Sequence, residues 1–244
     1  MSAIPTFKPI SSIFHNNNLL YLIVGHTVSG KTTLCIDIIY HYASICSKIY
    51  YFTNEYRYQK INILNNDKLI LLEPIFENIY MIWKECKIQD KNKSKQLKNN
   101  KILIVIDDIN SEIDFLRTSH KKVSYINKNG NETKISTYKA INSLLQDIYD
   151  IANNNDNILL IISDLDYTLY NKILNPKNII ICDDKLISII QTLKKFRTTD
   201  MRKLITKQSY KIFCKYPYYV LLINGDNIFT TKADTHYDII KYDW

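Results

Sequence analysis

No apolar run in this 244-residue chain approaches the length, about 18–20 residues, that a bilayer crossing needs. Met1 to Pro9 has neither the cationic start nor the long apolar block of a secretory leader, so none is expected. The five cysteines (Cys35, Cys46, Cys86, Cys182, Cys214) are odd in number and far apart. Without any C-x-x-C pair they predict neither a disulfide framework nor a zinc site, and a reducing cytosol suits them. Internal repeats and long linkers are also missing, which points to residues 19–244 as a single domain behind an irregular arm, 1–18. Arginine is rare: Arg57, Arg117, Arg197 and Arg202 are the only four among 32 basic residues. Glycine is equally rare, with four in the whole chain, yet two of them stand five positions apart.

Those two glycines frame Gly25-His26-Thr27-Val28-Ser29-Gly30-Lys31-Thr32, with Thr33 following. The pattern is G-x-x-x-x-G-K-[ST], a phosphate-binding P-loop. Its chemistry explains its residue types. Glycines allow a tight bend that turns successive N–H groups inward onto anionic oxygens. The lysine reaches the β- and γ-phosphates, the Thr32 hydroxyl ligates Mg²⁺, and the next helix aims its positive end at the same place. The flanks agree. Leu19 to Val24 is a short apolar run of strand type, and Thr32 to Cys46 contains no Gly or Pro while Leu34, Ile38, Tyr42 and Ile45 recur at helical spacing. All nine residues from Gly25 to Thr33 are therefore candidate nucleotide-binding positions.

A second stretch, Lys101-Ile102-Leu103-Ile104-Val105-Ile106-Asp107-Asp108, sets five aliphatic residues before two carboxylates. Such a run predicts a strand covered on both faces, as in a parallel sheet flanked by helices. Carboxylates at its end are costly in a dry interior unless a cation compensates them, and a Mg²⁺–nucleotide at the carboxyl edge of the sheet does so. Asp107 is then the Walker B acid that holds Mg²⁺ through water, and Asp108 the acid that orients or deprotonates the attacking water. Asp107 follows Lys31 by 76 positions, which leaves room for an additional strand between the two motif strands. GTPase signposts are missing: Asp107-Asp108-Ile109-Asn110 lacks the glycine of D-x-x-G, and Asn171-Lys172-Ile173-Leu174 lacks the aspartate of N-K-x-D. No ABC-type signature occurs either.

The rest of the chain follows an α/β plan. Lys48 to Thr53 reads as a strand, Lys68 to Leu72 as a shorter one, and Pro74 as the first residue of a helix running toward Ile88. Asp90 to Asn100 is polar and Lys-rich, a solvated helix end or loop. Around Asn129-Gly130, residues 121–137 read as an inserted β-hairpin. Arg117, Lys121, Lys122, Lys128, Lys134 and Lys139 surround it against Glu132, a charge balance that suits a nucleic-acid backbone. Tyr138 to Ala152 is an amphipathic helix, and Asn157 to Ile162 a buried strand ending in Ser163-Asp164, where ATPases of this kind sense the γ-phosphate. Asn178 to Cys182 is a strand, Asp184 caps a further helix, 194–211 is basic and partly helical, and Tyr218 to Asn224 with Ile228 to Lys232 form a closing strand pair. The net charge of +8 favours an anionic macromolecular partner.

With G-H-T-V-S-G-K-T-T, the Ile106-Asp107-Asp108 strand end and the later strand order, most of residues 19–232 resembles the FtsK–HerA superfamily of DNA-translocating ATPases. Within it, the chain is similar to the genome-packaging ATPases of large nucleocytoplasmic DNA viruses, poxviruses included, and of virophages. The resemblance implies a Mg²⁺-dependent ATPase that assembles into a homo-oligomeric ring, hexamer or pentamer, and drives double-stranded DNA into a capsid. It implies a capsid or portal-vertex partner, no membrane, and a place in the host cytoplasm, the viral factory or the virion. Two departures stand out. The family's sensor strand ends in Gln where this chain has Ser163-Asp164, and its preceding arginine finger has no counterpart in Gln146 to Asn157. Arg117 and Arg197 are the substitutes at hand. The residues also leave two rivals open: a P-loop nucleoside or nucleotide kinase, and a nucleotide-gated DNA-binding protein without turnover.

Overall fold

The computed structural model describes residues 7–9, 20–25, 30–53, 67–92, 100–107, 121–127, 129–164, 178–182, 219–224, 227–232 and 238–241. Expectations placed on His26, Thr27, Val28, Ser29, Asp108, Lys128, both finger candidates Arg117 and Arg197, the Asp184-capped helix and the basic 194–211 stretch lie outside the described residues. The chain divides into two compact units. One comprises Met1–Asn17, Tyr21–Asp37 and Ile162–Trp244; the other comprises Asn18–Leu20 and Ile38–Ile161.

In the first unit, β1 (Phe7–Pro9), β2 (Leu20–Val24), β9 (Asn178–Ile181), β10 (Tyr219–Asn224), β11 (Asn227–Lys232) and β12 (Asp238–Lys241) stand in the order β1-β12-β11-β10-β9-β2. β2 and β9 run parallel, with Leu22 opposite Ile179, and Cys182 N continues the ladder to Val24 O at 2.8 Å. From β9 outward the pairing is antiparallel, the Asn224↔Asn227 register closing the expected hairpin of β10 and β11. The strand β1 lies within the stretch read as an irregular arm: Phe7 to Pro9 pair with Ile240 to Asp238. Pro9, which has no N–H to give, stands at an outer edge where a ladder tolerates it.

The second unit holds β3 (Cys46–Phe52), β4 (Leu69–Leu72) and β5 (Lys101–Asp107), all parallel, with Tyr51 opposite both Leu71 and Val105. β8 (Ile158–Asp164) starts here and ends in the first unit; it flanks β5 on the side away from β3, giving the order β8-β5-β3-β4. It takes the place expected for an additional strand between the two motif strands, but it follows Asp107 in the chain; β3 and β4, which come from the stretch between Lys31 and Asp107, lie on the other side of β5. Ile102 to Ile106 are each 1% exposed or less, as a strand covered on both faces requires. Counting β2 and β9 with β3, β4 and β5, five strands have parallel partners.

Among the described residues, three helices serve these strands. α1 (Lys31–Tyr42) follows β2, and it stops earlier than its spacing suggests. Ile45, expected on its apolar face, lies 46% exposed in the turn that leads into β3, and Cys46 is already strand. α2 (Phe76–Lys91) begins two residues after Pro74, with Ile75 at the N-cap, so Pro74 belongs to the approach and not to the first turn. α3 (Thr137–Asn154) is capped by Ser136, whose hydroxyl accepts from Lys139 N at 3.5 Å. α2 buries Ile79, Ile82, Trp83 and Cys86, and α3 buries Ile141, Leu144, Leu145 and Ile148. Each such side chain contributes about 1.5–3 kcal/mol of burial. Between the helices, Trp83 Nε1 donates to Asp147 Oδ2 at 3.3 Å, giving a buried carboxylate a partner.

The hairpin expected at 121–137 is present as β6 (Lys122–Ile126) and β7 (Glu132–Ser136), a separate two-stranded sheet. It leans on α2 through Tyr125, whose ring meets those of Phe76 and Tyr80 edge-on at 6.0 and 5.9 Å. Ile126 N donates to the Tyr80 hydroxyl at 3.3 Å.

Candidate functional site

β2 is buried along its whole length and is followed by Gly25, and Gly30 stands immediately before the first residue of α1. Gly30 has φ +89°, a left-handed conformation that an L side chain adopts only with strain. A Cβ placed there meets nothing within 4 Å, so the backbone angle, not crowding, is what asks for glycine. Gly30 O accepts from Leu34 N at 2.9 Å, closing the first turn of α1.

Lys31 is the first residue of α1 and 7% exposed; its Nζ donates to Gly25 O at 2.5 Å, so the side chain folds back across the loop to the strand end it came from. The first turn of α1 contains no acidic residue, which leaves the positive end of the helix dipole for an outside anion. Thr32 is half-buried in the same turn, and Thr33 continues the helix backbone. Ser163 is fully buried near the end of β8. That end belongs to the same unit as β2, and in the sheet β8 is the neighbour of β2 on the side away from β9. Gly25, Gly30, Lys31 and Thr32 are thus gathered in one strand–loop–helix, with Ser163 on the adjoining strand.

Asp107, the last residue of β5, is fully buried, and its Oδ2 accepts from the Tyr51 hydroxyl at 3.0 Å. The reach follows from the register. Tyr51 stands opposite Val105, and side chains two apart on a strand share a face, so Tyr51 leans one step up toward Asp107. Thr53, directly after the β3 end, is fully buried; its N donates to Leu72 O at 3.0 Å while its Oγ1 has no hydrogen-bond partner. A carboxylate with hydroxyls beside it is a hard oxygen donor set of the kind Mg²⁺ takes, and an orphaned buried hydroxyl at its side suits a metal-bound water. The residues present therefore fit the expected metal. Sequence reading missed Tyr51 and Thr53, although the rule that singled out Asp107 and Ser163, a polar residue closing an apolar strand, also applies to Thr53.

Four described cysteines, Cys35, Cys46, Cys86 and Cys182, are buried, reduced thiols. Burial pushes the Cys46 thiol up to about 11, with Lys101 and Lys68 opposing, and so disfavours its reactive thiolate. No described helix is long and apolar enough to cross a membrane.

No family model matches the chain, and no curated protein does. Among solved structures it is similar to the pCW3 conjugation coupling protein TcpA, a monomer form with ATPγS, at a TM-score of 0.52 and 11% identity. That match covers 93% of this chain, which spans 61% of the TcpA chain. It is also similar to the genome-packaging NTPase B204 from Sulfolobus turreted icosahedral virus 2 with AMPPCP, at 0.46 and 15% identity, covering 93% of this chain and 100% of that one. A DnaB-like replicative helicase gives 0.45 at 10% identity, covering 91% and 57%. With its parallel strands, its flanking helices and the loop between β2 and α1, the chain has the α/β fold of P-loop NTPases.

Proposed function

We propose that this protein is a Mg²⁺-dependent ATPase of the FtsK–HerA type that moves double-stranded DNA, and that its task is to package a viral genome into a capsid. One observation carries the reading: Lys31, buried at the N-terminus of α1, bridges back to Gly25 across a loop that ends in a left-handed Gly30. An anionic oxygen at that point meets a helix end, a lysine and a run of loop amides together.

Residues 19–244 act as one ATPase domain behind the arm 1–18. Loop amides from Gly25 through Thr33, those of His26, Thr27, Val28 and Ser29 included, hold the phosphate oxygens. Lys31 stabilises charge spreading over the γ-phosphoryl group, Thr32 and Asp107 hold the metal, and Asp108 orients or deprotonates the attacking water. Ser163 senses the γ-phosphate from the strand beside β2. Magnesium, when bound with ATP, neutralises the charge that develops between the β- and γ-oxygens. The copies assemble into a ring of five or six at a portal or capsid vertex, in the viral factory of the host cytoplasm and in the virion. The exposed lysines of the hairpin, Lys121, Lys122 and Lys134, and Lys139 beside them, face the DNA backbone. Support for the nucleotide comes from the fold shared with TcpA, which was solved with ATPγS.

The test is ATP turnover measured with and without duplex DNA at low salt, where phosphate contacts are strongest. We expect stimulation by DNA, and loss of nucleotide binding or turnover in Lys31→Ala. A flat response to DNA removes the motor; wild-type turnover in Lys31→Ala removes the site.

A further inference from the structure

The end of β3 carries two hydroxyls that no part of the P-loop reading uses. Tyr51 Oη donates to Asp107 Oδ2, and both side chains are fully buried, so the carboxylate has one oxygen held from the side by a rigid ring. Thr53, two residues on from Tyr51, directly follows β3 where Asp107 ends the neighbouring strand: Phe52 pairs with Ile106, and each of the two comes next. Its hydroxyl is buried without a partner, an arrangement that costs stability unless something else uses it.

We infer that Tyr51 and Thr53 are positioning residues for the metal: Tyr51 fixes the rotamer of Asp107, and Thr53 holds a water of the ion's hydration shell. The inference rests on the proposed role of Asp107 and extends it to the neighbouring strand. Tyr51 takes up one lone pair of Oδ2 and thereby restricts the rotation of the carboxylate. A phenol does this better than a charged group, because it orders the carboxylate without neutralising it. Thr53 then offers a donor and an acceptor where Mg²⁺, which keeps several waters, needs partners for them. Outer partners of this kind govern metal affinity nearly as strongly as the ligands themselves.

The experiment titrates MnCl₂ into the full chain with AMPPCP present and follows free Mn²⁺ by electron paramagnetic resonance. AMPPCP affinity in EDTA and the melting temperature are measured alongside. Tyr51→Phe and Thr53→Val each keep the shape of the side chain. Both are expected to weaken Mn²⁺ binding about 10-fold and to leave the metal-free affinity for AMPPCP unchanged. Thr53→Val, relieved of a buried orphan hydroxyl, should at the same time melt about 2–4 °C higher. In an Asp107→Asn background, Tyr51→Phe should add no further loss. If Mn²⁺ affinity stays within about twofold of wild type in both variants while Asp107→Asn loses it, the inference fails and the reading of Asp107 survives. Equal losses with and without metal make the two hydroxyls structural and also overturn it. If Asp107→Asn itself binds Mn²⁺ as wild type does, the proposed role of Asp107 falls and takes the inference with it.

Discussion

Tyr50 shows how one buried residue of a packed strand becomes tied to pH. Its hydroxyl donates to Glu85 Oε2, and Lys48 Nζ reaches Glu85 Oε1 at 3.1 Å, so strand β3 and helix α2 share one carboxylate. The exposed ion pair adds little by itself. Burial first, and then the hydrogen bond to the Glu85 carboxylate, push the Tyr50 phenol up to about 12. Below the ordinary tyrosine value both folded and unfolded chains keep this proton. Above it the unfolded chain loses the proton first, so stability falls as pH rises toward 12. Replacing Tyr50 by Phe should make that decline between pH 10 and 12 shallower, by at most about 1.4 kcal/mol per pH unit. Urea unfolding at several alkaline pH values reads the slope. Tyr149, also raised to about 12 by burial and then by Asp150, keeps part of the slope in the variant. An unchanged slope would mean that Glu85 does not hold the Tyr50 proton in solution.

Among the elements, the hairpin has the most explicit local determinants. Its five-residue loop, 127–131, is organised by Asn127: the backbone closes from Asn127 N to Asn131 O at 2.9 Å, and Asn127 Oδ1 accepts from Asn129 N and Asn131 N at 2.9 and 3.1 Å. Gly130 supplies φ +81°. Asn127→Ala should lower the melting temperature by about 2–4 °C, since side-chain caps of two amides are lost. Gly130→Ala should cost a similar amount through the left-handed angle, about 1–2 kcal/mol. AMPPCP affinity should be unchanged in both, as measured by calorimetry beside the melts; a loss of affinity would place the hairpin in the nucleotide site. This element was legible because its signal is local: Asn129-Gly130 between alternating side chains. The same holds for β2, β5 and α3, whose runs and periods are long enough to speak alone. What escaped reading depends on contacts distant in sequence. Phe7–Pro9 is a strand only because β12 pairs with it, and nothing in three residues announces a partner more than two hundred positions away. The end of α1 at Tyr42 also ran against a periodicity that continued to Ile45, because the chain turns there to place Cys46 opposite Lys101 in β3. Tyr51 and Thr53 became visible beside Asp107 only through the β3–β5 register.

At the scale of the whole molecule, the charge of +8 makes a prediction that needs no single contact. A basic protein that binds duplex DNA releases counterions, and the logarithm of its affinity falls linearly with the logarithm of salt, at about 0.9 per phosphate neutralised. A surplus of lysine spread evenly over the surface gives a slope that no small set of changes alters much. A surplus that works through the hairpin behaves differently. Lys121, Lys122 and Lys134 are all exposed, on or beside a two-stranded sheet anchored to α2 by Tyr125, so they can meet a phosphate backbone as a group. Their joint replacement by Gln should therefore reduce the salt slope by about 3 and weaken binding at low salt, without lowering turnover in the absence of DNA. Fluorescence anisotropy on a labelled duplex across a salt series measures it. A comparable triple replacement of Lys84, Lys87 and Lys91 on α2 tests the even-spread alternative. If the two triples change the slope equally, DNA recognises the net charge of the protein, and the hairpin has no special part in gripping it.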